Sequence, residues 1–79
     1  MPTVLRDGPY RFFFYSNEGN EPPHVHVGRD DCEAKFWLDP LSCAASDFSE
    51  KELNKIAKLV EENRDAVLEK WNDHFHPGI

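Results

Sequence analysis

Residues 22–38 read PPHVHVGRDDCEAKFWL, two runs of alternating side chains that meet at Asp30 and Asp31, the pattern of a β-hairpin. With Asp30-Asp31 as a two-residue turn, Arg29 faces Cys32, Gly28 faces Glu33, Val27 faces Ala34, His26 faces Lys35, Val25 faces Phe36 and His24 faces Trp37. The two-residue period of a strand then sorts the hairpin into faces. Val25, Val27, Ala34, Phe36 and Leu38 point one way; His24, His26, Glu33, Lys35 and Trp37 point the other. A slip of one residue would mix the two sets. Asp is less comfortable than Gly at the second position of a type I′ turn, so a three- or four-residue loop through Gly28 to Asp31 also stands. The alternation within each strand survives either turn.

Working outward, Tyr10 to Tyr15 (YRFFFY) is a strand signal, because aromatic side chains suit a pleated, half-buried surface. Phe12 and Phe14 are assigned to the core, which leaves Arg11, Phe13 and Tyr15 on the side of the two histidines. Between these strands runs a loop, Ser16 to Pro23, whose exit is stiffened by Pro22 and Pro23. Before the turn-like Asp7-Gly8-Pro9, residues 3–6 make a short edge strand.

Downstream, Asp39-Pro40 breaks the hairpin strand, and Leu41 to Phe48 reads as a connection. Ser49-Glu50-Lys51-Glu52 is a capping box, in which Ser49 and Glu52 reciprocally satisfy free amide hydrogens at a helix start. Apolar residues then recur at helical spacing: Leu53, Ile56, Ala57, Val60, Val67, Leu68, Trp71 and Phe75. The spacing predicts a helix over about 50–73, with a bend or break near Asn63 to Asp65 where the stripe is interrupted, and a tail over 74–79. The expected architecture is α+β. A small antiparallel sheet of three to four strands (3–6, 10–15, 24–29 and 32–38) carries a long C-terminal helix packed on one face, as a single domain over 1–79.

At 79 residues such a domain buries only about 60 to 65 per cent of its unfolded surface, so its core must be aromatic-rich. Six Phe, two Tyr and two Trp meet that need. A net charge of −6 disfavours RNA or DNA as a general partner, since that affinity comes from neutralising phosphates. Cys32 and Cys43 lack C-x-x-C spacing and read as reduced thiols in a cytoplasmic protein. No apolar run approaches the roughly 20 residues needed to span a bilayer, so no membrane association is expected.

His24 and His26 project from one face of a predicted strand, and several chemistries fit them. Packing against Trp37 and the neighbouring aromatic rings needs no function at all. Acid–base cleavage of a phosphodiester would use one neutral and one protonated imidazole. Lys35 would then stabilise charge on phosphate, and Tyr15 or Trp37 would stack a base. Arg11 and Arg64 are further cations near this face, although Arg64 also has acidic neighbours with which to pair. A transition-metal site would use both histidines completed by Glu33 or a tail histidine, His74 or His76. The third and fourth ligands of such a site are not evident, and Lys35 opposes it, so no metal ligand and no cofactor is assigned. A protein-docking face needs only the aromatic patch of Phe13, Tyr15 and Trp37 on an uncovered sheet.

The opening Met-Pro-Thr, the Pro22-Pro23-His24-Val25-His26-Val27 motif, the Glu33-Ala34 pair and the helix from Asn63-Arg64-Asp65 to Trp71 together resemble the domain-of-unknown-function 4160 family of small prokaryotic proteins. The resemblance spans nearly the whole chain, and its matched motif positions are His24, His26, Arg64 and Trp71. It implies a component of a toxin–antitoxin module, encoded beside a small protein of the domain-of-unknown-function 2442 family, which would be its partner. The expectation drawn from residues and resemblance together is a toxin–antitoxin-like component acting as a metal-independent ribonuclease. His24, His26 and Lys35 would be catalytic, and Arg11, Tyr15, Trp37 and Arg64 would bind. The alternative is a non-catalytic module whose aromatic sheet face docks a partner or a second copy of the chain.

Overall fold

The computed structural model describes residues 3–76. Five strands precede two helices: β1 (Thr3–Asp7), β2 (Tyr10–Phe13), β3 (His24–Arg29), β4 (Cys32–Leu38), β5 (Leu41–Ser46), α1 (Glu50–Glu62) and α2 (Arg64–Phe75). The strands form one antiparallel meander in chain order. Pairing of β3 with β4 runs from His24↔Trp37 to Arg29↔Cys32, so the two-residue turn is the one adopted. Of its two residues only Asp30 has a positive φ, 54°, so the left-handed conformation that Asp tolerates is needed once. A glycine at the second turn position is therefore unnecessary.

Val25, Val27, Ala34, Phe36 and Leu38 lie in the core with Tyr10, Phe12 and Phe14. From the helices they receive Ile56, Val60, Val67 and Trp71. The parity read from the sequence thus places the apolar set under the helices. Phe13 and His26 fall on the opposite side, stacked at 5.5 Å.

The sheet departs from expectation in two ways. The sheet has five strands rather than three to four, because residues 41–46 (LSCAAS) pair with β4 and leave Ala44 out as a bulge. Ser42 to Ser46 are exposed on both sides, so no buried face imprinted an alternation on them. The second strand ends at Phe13, since Phe14 and Tyr15 leave the ladder.

The helix over 50–73 is two helices. At the junction Asn63 turns its side-chain amide onto the Leu59 carbonyl at 2.8 Å and takes φ −104°, ψ 7°. An Asn that bonds its own helix backbone competes with continuation, and the break lets each half aim a different buried pair at the sheet. Ile56 and Val60 are the buried pair of α1, Val67 and Trp71 that of α2. Helix α2 then runs on to Phe75, so His74 is helical and exposed rather than in a tail. The rest of the expected tail, residues 77–79, lies outside the described residues.

Each end of the sheet is fastened to a helix. At one end the Glu52 carboxylate accepts from Tyr10 Oη at 2.8 Å and from Arg29 Nε and Nη2 at 2.7 and 2.8 Å. Half of the expected capping box is formed: Ser49 Oγ accepts from the Glu52 amide at 3.2 Å, while the Glu52 side chain is taken by Arg29 and Tyr10. Those donors hold the Glu52 carboxyl below its ordinary value. At the other end Arg64 donates to the Leu38 carbonyl and lies 3.3 Å from Asp39, which ties the start of α2 to the turn after β4. Beyond that clasp Trp71 lies 4.9 Å from the His24 ring and 5.3 Å from that of Phe14, over the edge where β3 begins.

Candidate functional site

His24 and His26 are side by side on β3, their rings 5.3 Å apart, and the loop before the strand folds back over them. That loop delivers Glu18. Its Oε1 lies 2.9 Å from His24 Nε2 and 3.0 Å from His26 Nε2. The same oxygen accepts from the Tyr15 amide at 3.2 Å, and the Glu18 carbonyl accepts from the Glu21 amide at 3.1 Å, so the loop is closed on itself around the carboxylate. Gly19 sits against Phe75 of α2: a Cβ built there would fall 2.6 Å from the ring. The two prolines at the loop exit contribute carbonyls as well as stiffness. Pro22 O accepts from His24 Nδ1 at 2.9 Å, and Pro23 O accepts from the Leu38 amide at 3.1 Å.

Both histidines are enclosed. His24 is 0% exposed beneath Trp71 and Trp37, and His26 is 5% exposed between Phe13 and Tyr15. A carbonyl can only accept, so His24 Nδ1 carries a proton and points its Nε2 toward Glu18. His24 Nε2 is close to the carboxylate but badly aimed at it, and makes no hydrogen bond. His26 Nδ1 stands in the same relation to Glu33 Oε2, 3.1 Å away. Glu33 in turn accepts from Tyr15 Oη at 3.0 Å. Burial and that acceptor raise the Tyr15 hydroxyl pKa. For Glu18, burial alone would raise the carboxyl, but the two imidazoles beside it outweigh burial and leave the pKa lowered.

The other residues singled out in the sequence are dispersed around this cluster. Lys35 Nζ is bound to Glu21 at 3.1 Å and lies 4.4 Å above the Trp37 ring, so its charge is engaged away from the imidazoles. Arg11 stacks on Phe13 at 4.4 Å. Trp37 is half-buried, edge-on to His24. Arg64 is spent on Leu38, Asp39 and Asp65. The expected open aromatic face is therefore largely covered, with Phe13 only 3% exposed. Glu18 was missed in the sequence. The signal was a carboxylate six residues before the H-x-H pair in a loop whose proline exit forces a return. Among the described residues the one cluster of histidine, cysteine or carboxylate groups with metal-ligand spacing is Glu18, His24 and His26.

What reaches solvent on this side is a shallow groove between His26 and β5. Asp31, Glu33 and Asp47 line it beside Lys35, Ala45 and Ser46. Cys32 and Cys43 are free thiols, and no described helix is long and apolar enough to cross a membrane.

The family model described as "Domain of unknown function (DUF4160)" matches residues 10–72, from the first residue of β2 to Asn72 within α2. The chain belongs to this family. No curated protein and no solved structure matches it. The match takes in Glu18 together with His24 and His26, so the whole cluster falls within the family's domain.

Proposed function

We propose that this DUF4160 domain is the protein-binding half of a two-protein, toxin–antitoxin-like module, and that it docks a basic, extended segment of its partner along β5. The observation that carries the reading is the chemistry of that edge. Strand β5 holds six residues without a charge or a proline, exposed from Ser42 to Ser46, and pairs on one side only. Protein edges are normally blunted by charges or prolines, because an open ladder recruits another strand. Edge strand β1 follows that rule with Arg6 and Asp7.

The groove beside β5 supplies the sign of the partner. Asp31, Glu33 and Asp47 line it, and Lys35 is already paired with Glu21. A second copy of this chain would bring another −6 to an acidic surface, whereas a basic segment is attracted to it. The same carboxylates bear on the ribonuclease reading. They repel a phosphodiester, and both imidazoles are enclosed, so the geometry favours binding over cleavage.

The test is co-expression with the product of the adjacent gene, followed by size-exclusion chromatography. A stable heteromeric complex is expected. Ala45→Lys, at an exposed position, should weaken it at least about ten-fold, and raising salt should slow its formation. Arg6→Glu on the opposite edge should leave it intact. Independent elution of the two proteins, or a complex indifferent to Ala45→Lys, would overturn the reading. RNA cleavage lost in both His24→Ala and His26→Ala would restore the catalytic one.

A further inference from the structure

We propose that Glu18, His24 and His26 form a binding site for one first-row transition-metal dication of the zinc class. The donors are two imidazole Nε2 atoms and one carboxylate, all within 4.8 Å of one another. Imidazole with carboxylate suits zinc and its neighbours, whereas magnesium and calcium take shells of oxygen.

The hydrogen-bond accounting points the same way. With its Nδ1 proton donated to the Pro22 carbonyl, a neutral His24 holds an Nε2 that makes no hydrogen bond 2.9 Å from a carboxylate oxygen, in a side chain with no exposed surface. An acceptor nitrogen left unsatisfied beside a carboxylate in a dry site is unfavourable. A cation on that nitrogen removes the conflict.

The same cation resolves the second orphan. With His26 Nε2 on the metal, its Nδ1 carries the proton and faces Glu33 Oε2 at 3.1 Å, which Tyr15 holds from the other side. A ligating histidine backed by a carboxylate through its other nitrogen is the usual support of a metal site, and the Pro22 carbonyl plays that part for His24. One ion thus takes up the His24 nitrogen that lacks a hydrogen bond and fixes the tautomer in which the other, His26 Nδ1, can donate to Glu33.

The two separations from Glu18 fit with a small adjustment, and the imidazole nitrogens, within 4.8 Å of each other, must close to no more than about 4.2 Å, twice a metal–nitrogen bond. Metal–ligand bonds of about 2.0 to 2.1 Å in a tetrahedron separate neighbouring ligands by roughly 3.3 to 3.4 Å. The present separations from Glu18 Oε1 are 2.9 and 3.0 Å. Glu18 has room to move, its side chain 13% exposed on a loop, and a small rotation of the imidazole rings on β3 brings their nitrogens together. The charge of Lys35, which the sequence sets against a cation, is bound to Glu21.

The test uses the full chain without a polyhistidine tag, stripped by chelator and titrated with cobalt(II) and then zinc(II). The expected result is one equivalent bound, visible ligand-field bands that zinc abolishes, and a zinc-dependent rise in Tm. Glu18→Gln changes a partly exposed loop residue outside the core, so it keeps the fold. It should lose about 100-fold or more in affinity, since even outer-shell changes commonly cost 10- to 100-fold. Tyr15→Phe, which frees Glu33, should lose roughly 10-fold. Cys43→Ser and His76→Ala should bind as the parent does. Affinity weaker than roughly micromolar, retention of binding in Glu18→Gln, or its loss in His76→Ala would overturn the assignment. So would imidazole nitrogen shifts showing both rings doubly protonated and indifferent to zinc, which would make the cluster a proton-bridged one.

Discussion

Replacing Gly19 by alanine should destabilise the domain through Phe75 alone, a residue more than fifty positions away. A Cβ at Gly19 would lie 2.6 Å from Phe75 Cδ1 and 3.2 Å from Cγ. Carbon atoms in contact rest at about 3.5 to 4.0 Å, so the ring or the loop must yield by roughly 1 Å. The ring has little freedom, held at 4.2 Å from Trp71 and 5.9 Å from Phe14. Overpacking of this kind costs about 1 to 3 kcal/mol. Against a total of about 4 to 12 kcal/mol for a domain of this size, that loss is easily read in urea unfolding as a lower midpoint at unchanged slope. The decisive assay is the double-mutant cycle with Phe75→Ala. Residues in direct contact couple by about 0.5 to 3 kcal/mol, and here Phe75→Ala should absorb most of the Gly19→Ala penalty. Gly19→Ala within about 0.5 kcal/mol of the parent, or additive with Phe75→Ala, would show that α2 does not press on the Glu18 loop.

Trp71→Ala should cost about 3 to 5 kcal/mol in the same assay, because the side chain is fully enclosed among Phe14, His24 and Phe75; a loss under about 1 kcal/mol would refute its sealing role. Ser49→Ala removes the acceptor for the Glu52 amide and should cost about 1 kcal/mol, read as a fall in Tm of roughly 4 to 8 °C. Glu52→Gln should give a pH-dependent loss. The folded carboxyl has a lowered pKa, held down by Arg29 and then Tyr10. Its contribution is therefore complete above the ordinary glutamate pKa and fades as pH falls through the lower folded value. The stability gap between parent and variant should accordingly be constant near neutrality and narrow in acid, and a gap independent of pH would refute the linkage. At the hairpin turn, Asp30→Val should cost roughly 1 to 2 kcal/mol, since a β-branched residue resists the φ of 54°, while Asp30→Gly should be tolerated.

The amino-acid sequence by itself determined the two faces of the β3–β4 hairpin, because side-chain alternation is a covalent property of an extended chain and one slip would turn His26 toward the helices in place of Val25, while the choice of the two-residue turn was left to the structure. It also determined the start of α1 at Ser49 and the interruption of the apolar stripe near Asn63, both written in local chemistry. Strand β5 left no such mark, since small residues exposed on both sides carry no periodicity. Only the tertiary structure decided what closes over the histidines. The return of the 14–23 loop that brings Glu18 onto them, and the angle at Asn63 that sends Trp71 over the end of the sheet, join residues up to 47 positions apart. Such contacts follow from how the whole chain packs, and no spacing within one element encodes them.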